Sequence, residues 1–191
     1  MSNPDGAMHG GGQIHPRAGL WPTLAEDVFI APGAHVIGDV EIGAASTVWF
    51  NCVLRGDVNS IRVGARTNIQ DGTVVHVSHR THSTTIGDDV LIGHMAMIHG
   101  CTLENGSFVG LGSTVMDGCV IETGGMLAAG SLLTPGKRIG RNQLWAGRPA
   151  RYVRDLTEEE NESNMGGVRH YAELGRSYLT EYLESLSEEV G

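Results

Sequence analysis

The chain has 191 residues, 13 basic and 22 acidic for a formal charge of −9, with 28 glycines and only 5% aromatic residues. No run approaches the ~20 apolar residues of a membrane span, and the Gly-, His- and Pro-rich start lacks the apolar centre of a secretion signal, so a cytoplasmic protein without membrane association is expected. Three cysteines, Cys52, Cys101 and Cys119, with no CxxC pair, argue against a disulfide framework and a zinc ribbon.

Residues 1–19 carry no repeat and are expected to form a flexible N-terminal segment. From residue 20 to 154 the chain is organised in sixes. Aliphatic residues recur at Ile30, Val36, Ile42, Val48 and Leu54, at Val63, Ile69 and Val75, at Ile86, Ile92 and Ile98, and at Leu103, Val109, Val115, Ile121, Leu127, Leu133 and Ile139, with Trp145 closing the series. A small residue usually stands four places on, as at Ala34, Ser46, Cys52, Thr67, Thr73, Ala96, Thr102, Ser107, Ser113, Cys119 and Ser131. A period of six suits strands and not helices. Each hexapeptide is too short to bury its own face, so the core must come from stacking. Three hexapeptides then make one triangular coil with the aliphatic and small residues inside, which places Cys52 and Cys119 in the core. Glycines directly after the aliphatic, as at Gly43, Gly64, Gly87, Gly93, Gly110 and Gly140, are expected where the turns need positive φ.

The repeat slips three times: nine residues from Leu54 to Val63, eleven from Val75 to Ile86 and five from Ile98 to Leu103. If each slip counts as one side of the triangle, Leu54, Val75 and Ile98 stack, and Arg55, His76 and His99 form an outward column. Adjacent coils lie ~4.8 Å apart, so two stacked imidazoles can share one metal ion. The same count stacks Ile69 on Ile92 and sets Asp71 level with His94, on a different face. Three imidazoles on two faces do not close on one ion within a chain, whereas faces of adjacent subunits in a threefold ring can meet. A trimer with three interfacial sites follows, each leaving a fourth coordination position open. His79 and His82 fall in the eleven-residue slip without a register argument and are expected at the surface, while His9, His15, His35 and His170 carry no signal. Cys101 is close to His99 but has no path to the ion and is read as structural.

Residues 155–191 form a tail of different character, with ten acids and two bases. Thr157 and Glu160 make a capping box, and Val168, Tyr171, Leu174, Tyr178, Tyr182 and Leu186 follow at helical steps, so an amphipathic helix is expected, interrupted or delayed at Gly166-Gly167. The basic cluster Lys137, Arg138, Arg141, Arg148, Arg151 and Arg154 is read as balancing this acidic tail. With no aromatic ladder among these bases, nucleic acid is not an expected partner.

The segments LRGDV (54–58), NIQDGTVVH (68–76), IGHMAMIHG (92–100) and LWAGRPARYVRDLTEEE (144–160) resemble the γ-class carbonic anhydrases, over roughly residues 20–185. The resemblance implies an all-β fold, a left-handed parallel β-helix with a C-terminal helix, in a homotrimer. It also implies Zn2+, or Fe2+ or Co2+, between subunits, held by His76 and His99 of one chain and His94 of its neighbour. It further implies an intersubunit ion pair of Arg55 and Asp57, a hydrogen bond from Gln70 to the metal-bound solvent, and support of the network by Asp71. The implied activity is a lyase reaction, reversible hydration of CO2 to bicarbonate by metal-bound hydroxide. Two glutamates that assist proton transfer in the family are missing, because Val58 follows Asp57 and the loop after His76 is the short VSHRTHS. Low activity is therefore expected, with His79 or His82 as the proton shuttle. The competing readings are a non-catalytic metal-binding trimeric accessory protein, and an acyltransferase or thioesterase acting on CoA thioesters.

Overall fold

The computed structural model describes residues 9–189. It is a parallel β-solenoid of about seven turns with one C-terminal helix. The inward aliphatics form three vertical ladders. Ile14, Val36, Leu54, Val75, Ile98, Val115 and Leu133 stack on one face. Leu24, Ile42, Val63, Ile86, Leu103, Ile121 and Ile139 stack on the second. Ile30, Val48, Ile69, Ile92, Val109, Leu127 and Trp145 stack on the third. Every aliphatic of the sequence repeat from Ile30 to Ile139 is buried in one continuous core. Each such side chain contributes ~1.5–3 kcal/mol on burial, and those inside a ladder have a rung above and a rung below.

The three slips are absorbed as single sides of the triangle. The nine-residue step is straightened into one long strand, Val53–Val63, which passes the corner without a turn and pairs along most of its length with His35–Ile42. Gly38 and Gly56 make this possible, because a Cβ on either would strike the backbone of the facing strand. The five-residue step shifts the inward small position from Thr102, which is only partly covered, to Cys101, which is buried.

Two details differ from the sequence reading. The glycines directly after the aliphatics are not the positive-φ residues. The left-handed position is the third after the aliphatic, and it holds Gly112, Gly130 and their equivalents, but also Ala45, Asn51, Arg66, Asp89, Met95 and Asn142. Glycines such as Gly93 and Gly110 serve close stacking instead, since a Cβ on Gly110 would collide with the backbone of Ala129 one coil on. The N-terminal segment also joins the fold earlier than expected. Residues 1–8 lie outside the described residues, but Gln13–His15 forms a strand on His35–Ile37, and Ile14 is buried. There the glycines mean tight packing rather than freedom: a Cβ on Gly10 or Gly12 would press into Phe29 or Ile30.

The last coil ends in an antiparallel hairpin, Gln143–Gly147 with Ala150–Asp155, and leads into helix α1, Glu158–Glu189. The capping box forms as expected: Thr157 Oγ1 accepts from Glu160 N–H (3.2 Å) and Glu160 Oε2 accepts from Thr157 N–H (2.9 Å). The helix runs uninterrupted through Gly166-Gly167, contrary to expectation. A side chain at Gly167 would crowd Leu91, and one at Gly175 would strike Thr47, so these glycines let the helix lie close on the sheet. α1 passes back over the Ile30 to Ile92 face, where Phe29, Trp49, Phe50, Tyr171, Tyr178 and Leu179 make an aromatic second core. No helix among the described residues is long and apolar enough to cross a membrane.

The two glycine roles predict different costs. Gly110→Ala, which forces two coils apart, is expected to destabilise by about 3 kcal/mol, and Gly130→Ala, which meets open space but keeps a positive φ, by about 1 kcal/mol. Denaturant unfolding midpoints of the two variants check the order. Arg154 and Thr157 hold the Glu160 carboxyl down, to a pKa of about 2 from 4.5. A group with a depressed folded pKa stabilises fully above its unfolded value and loses that contribution as the pH falls. Wild type should therefore lose stability between pH 4.5 and about 2 in a component that Glu160→Gln lacks.

Candidate metal centre

His76 and His99 occupy the same register on adjacent strands, Val74–His76 and Met97–His99. Each directly follows a core aliphatic, Val75 or Ile98, whose inward side chain turns the imidazole outward. The rings face each other with His76 Nδ1 3.1 Å from His99 Nε2 and centroids 5.1 Å apart. Both remaining ring nitrogens meet carboxylates. His76 Nε2–H donates to Asp57 Oδ1 (3.1 Å) and His99 Nδ1–H to Asp117 Oδ1 (2.6 Å).

These two carboxylates settle the tautomers. An ionised carboxylate only accepts, so each imidazole spends its single N–H on it and turns a lone pair toward the other ring. Both carboxyls are held in the ionised form. Burial acts to raise Asp57, but hydrogen bonds from His76 and Arg55 outweigh it and bring the carboxyl below its ordinary value. Burial likewise opposes the lowering of Asp117, which Ser78 and His99 impose. Two facing lone pairs repel unless a proton or a metal cation lies between them. Their 3.1 Å separation is close to the ~3.3 Å between two ligand atoms that sit ~2.05 Å from one tetrahedral ion. The donor set therefore fits a divalent cation.

The contrast with a second histidine pair is informative. His15 Nε2 and His35 Nδ1 are also 3.1 Å apart across coils, although neither residue carries a signal in the sequence. No carboxylate touches either ring among the described residues, so one ring donates to the other and the pair is satisfied without an ion.

His94 lies on the other face, in the turn after Leu91–Ile92, and its Nδ1–H donates to Asp71 Oδ2 (2.8 Å). It thus presents Nε2 as a free donor atom, as the sequence register of Asp71 and His94 anticipates. Within one chain, no three His, Cys, Asp or Glu side chains converge as a metal site among the described residues. His94 is half-exposed beside two bare apolar residues, Met95 (71% exposed) and Leu111 (59%).

The chain is similar along most of its length to proteins of one kind. A family model described as bacterial transferase hexapeptide (six repeats) matches residues 22–56. Gamma carbonic anhydrase 2, mitochondrial, of Arabidopsis thaliana is 47% identical over 172 residues, 87% of this chain and 62% of that protein, so the chain spans less than two thirds of that relative. The probable carbonic anhydrase of Methanocaldococcus jannaschii is 49% identical, with 81% of this chain and 96% of that protein covered. The chain belongs to the γ-class carbonic anhydrase family. A solved hexapeptide transferase family protein from Anaplasma phagocytophilum superposes on this member of the family with a TM-score of 0.83 at 50% identity, covering 86% of this chain and 97% of that one.

Against this family background the other expected site residues fall into place unevenly. Arg55 pairs with Asp57 of its own chain. Gln70 is buried, and its Oε1 accepts from His94 N–H (3.2 Å), which leaves its amide hydrogens without a protein partner among the described residues. His79 and His82 are exposed, but neither is remote. His79 lines a pocket of about 370 Å3 together with Asp57, and His82 lies over Gly100 and Gly118 close to Asp117. The cysteines are all buried, and burial pushes the Cys52 thiol up to about 12 and raises Cys101 as well. Asp117 and Ser78 escape the sequence reading. The signal for Asp117 is the stacking of Ile98 on Val115, which sets Asp117 level with Gly100, next to His99.

Proposed function

We propose that the protein is a metal-dependent lyase that interconverts CO2 and bicarbonate at three sites in a homotrimer, each built from His76 and His99 of one chain and His94 of its neighbour. The observation that carries this reading is the facing pair of imidazole nitrogens, 3.1 Å apart, on rings whose other nitrogens are taken by Asp57 and Asp117. His94, with the same kind of carboxylate-fixed tautomer, is the third donor. The exposed Met95 and Leu111 beside it are apolar surface that a neighbouring subunit would cover in such a trimer. A zinc, iron or cobalt ion held there supplies the acidity that brings water to a pKa of ~7.

The chain's own residues do the rest. Asp57, Asp117 and Asp71 keep the three rings in the ligand tautomer and orientation. Gln70, held by the His94 backbone, offers its amide hydrogens to substrate oxygen. Hydration of CO2 releases one proton per turnover, and that proton has to leave the site. Val58, 41% exposed, stands where the family's glutamate would accept it. His79 and His82 are exposed histidines beside Asp57 and Asp117 respectively, and we assign them the relay, with slower turnover than a carboxylate relay would allow. The exposed Val58 also favours the second reading, a trimeric accessory protein in which the ion ties subunits together without turnover.

Stopped-flow CO2 hydration by metal-loaded protein of known stoichiometry separates the two. Metal-dependent hydration is expected in wild type. His94→Ala is expected to lose both metal and activity while keeping the circular dichroism of the solenoid, because its side chain lies outside the core. A fully metallated trimer without hydration would leave the accessory role or a thioester substrate. The double variant His79→Ala with His82→Ala should lower turnover in weak buffer on the order of tenfold, with recovery in imidazole buffer. Unchanged turnover and buffer dependence would remove both histidines from the relay.

A further inference from the structure

The eleven-residue slip between Val75 and Ile86 produces a surface loop, residues 78–83, closed by a bridge in which Ser78 N–H donates to His82 O (2.9 Å). Both ends of this loop reach the histidine pair. At its start, Ser78 Oγ donates to Asp117 Oδ2 (2.6 Å), and the other oxygen of that carboxylate takes the His99 Nδ1–H (2.6 Å). At its end, Thr84 Oγ1 donates to the carbonyl of His76 (2.6 Å) and accepts from the N–H of Gly100 (3.0 Å), the residue after His99. Gly100 N–H reaches the His76 carbonyl as well (3.1 Å). The loop lies flat because Gly100 and Gly118 have no side chains: a Cβ on Gly100 would come within 2.8 Å of the His82 Cβ.

We propose that this loop is a positioning clamp for the metal ligands, with Ser78 acting on His99 through Asp117 and Thr84 joining the backbones of His76 and His99. The inference rests on the reading of these two histidines as ligands. A carboxylate with one bound oxygen can swing about its side-chain bonds and carry the imidazole with it. With both oxygens taken, one by Ser78 and one by His99, a single rotamer satisfies both bonds, and the direction of the His99 Nε2 lone pair is set. Partners of this kind change metal affinity by on the order of ten- to a hundredfold. The outer part of the loop does not compete for this role, since His79, Arg80, Thr81, His82 and Ser83 are exposed. Ser78 and Thr84 are positioning residues, and neither touches the reacting atoms.

The test is the affinity of the full chain for Co2+, measured by chelator competition and by the visible absorption of the bound ion, for wild type, Ser78→Ala, Ser78→Thr, Asp117→Asn and the double variant. Asp117→Asn should weaken binding by ten- to a hundredfold and Ser78→Ala by about tenfold, both with altered cobalt bands. The double variant should be no weaker than Asp117→Asn alone, because Ser78 acts only through that carboxylate. Ser78→Thr keeps the hydroxyl and should bind like wild type. Unchanged affinity in Ser78→Ala, or losses that add in the double variant, would overturn the clamp. So would equal losses in Ser78→Ala and Ser78→Thr, which would report a packing defect. Thermal unfolding of the metal-free variants checks that the fold persists. Because the readout is metal affinity, a protein that binds cobalt and hydrates no CO2 would refute the lyase and leave the clamp standing, whereas a wild type that binds no cobalt would refute both.

Discussion

Everything in this molecule depends on the axial register of its coils. Each coil passes its backbone hydrogen bonds to the next at the same angular position, so a residue's neighbours along the axis are decided by counting. Leu54, Val75 and Ile98 stand above one another because the hexapeptide count, slips included, puts them there. The same count brings two imidazoles from residues 23 apart in sequence to one angular position on adjacent coils, facing one direction. Strand spacing of ~4.8 Å is a distance a single ion can bridge. A core built for burial thus presents a facing pair of imidazoles on its surface.

Register alone does not make a pair of imidazoles a ligand pair. His15 and His35 also meet across coils, at the same nitrogen separation, and they resolve into an ordinary hydrogen bond. What sets His76 and His99 apart is the placing of Asp57 and Asp117 on their far sides, which uses up both N–H groups and leaves donor atoms facing. His94 obeys the same rule through Asp71. Three carboxylates and three histidines thus repeat one arrangement, in which an aspartate takes the N–H of an imidazole and leaves its other nitrogen free to accept.

Most of the fold was legible in the sequence because a stacked core leaves a strict trace. The aliphatics from Ile30 to Ile139 all lie in the ladders, and the capping box at Thr157 forms as written. The interpretation of glycine was less secure. A glycine can mean a positive φ or a close approach, and only the neighbouring coil distinguishes Gly112 from Gly110. The same ambiguity hid the packing role of residues 10–12 and the continuity of α1 through Gly166-Gly167. The meeting of His76 with His99 and of His94 with Asp71 followed from counting along the coils. Asp117 did not, because it sits in a turn of the next coil with no ligand-type pattern around it, and Ser78 became visible only through Asp117.

The helix α1 does more than cover a face. It starts against the last coil, where Glu160 pairs with Arg154, and reaches the first, where Tyr182 rests on Gly11. A helix rises ~1.5 Å per residue and a coil ~4.8 Å, so one coil corresponds to about three helical residues. Loss or gain of one coil would offset the far end of the helix by that amount and rotate its apolar side by ~60°, away from Phe29 and Trp49. In a solenoid the number of repeats is otherwise free to drift by duplication and deletion. Here the helix works as a length gauge, and only a simultaneous change of three or four helical residues would let the repeat number change.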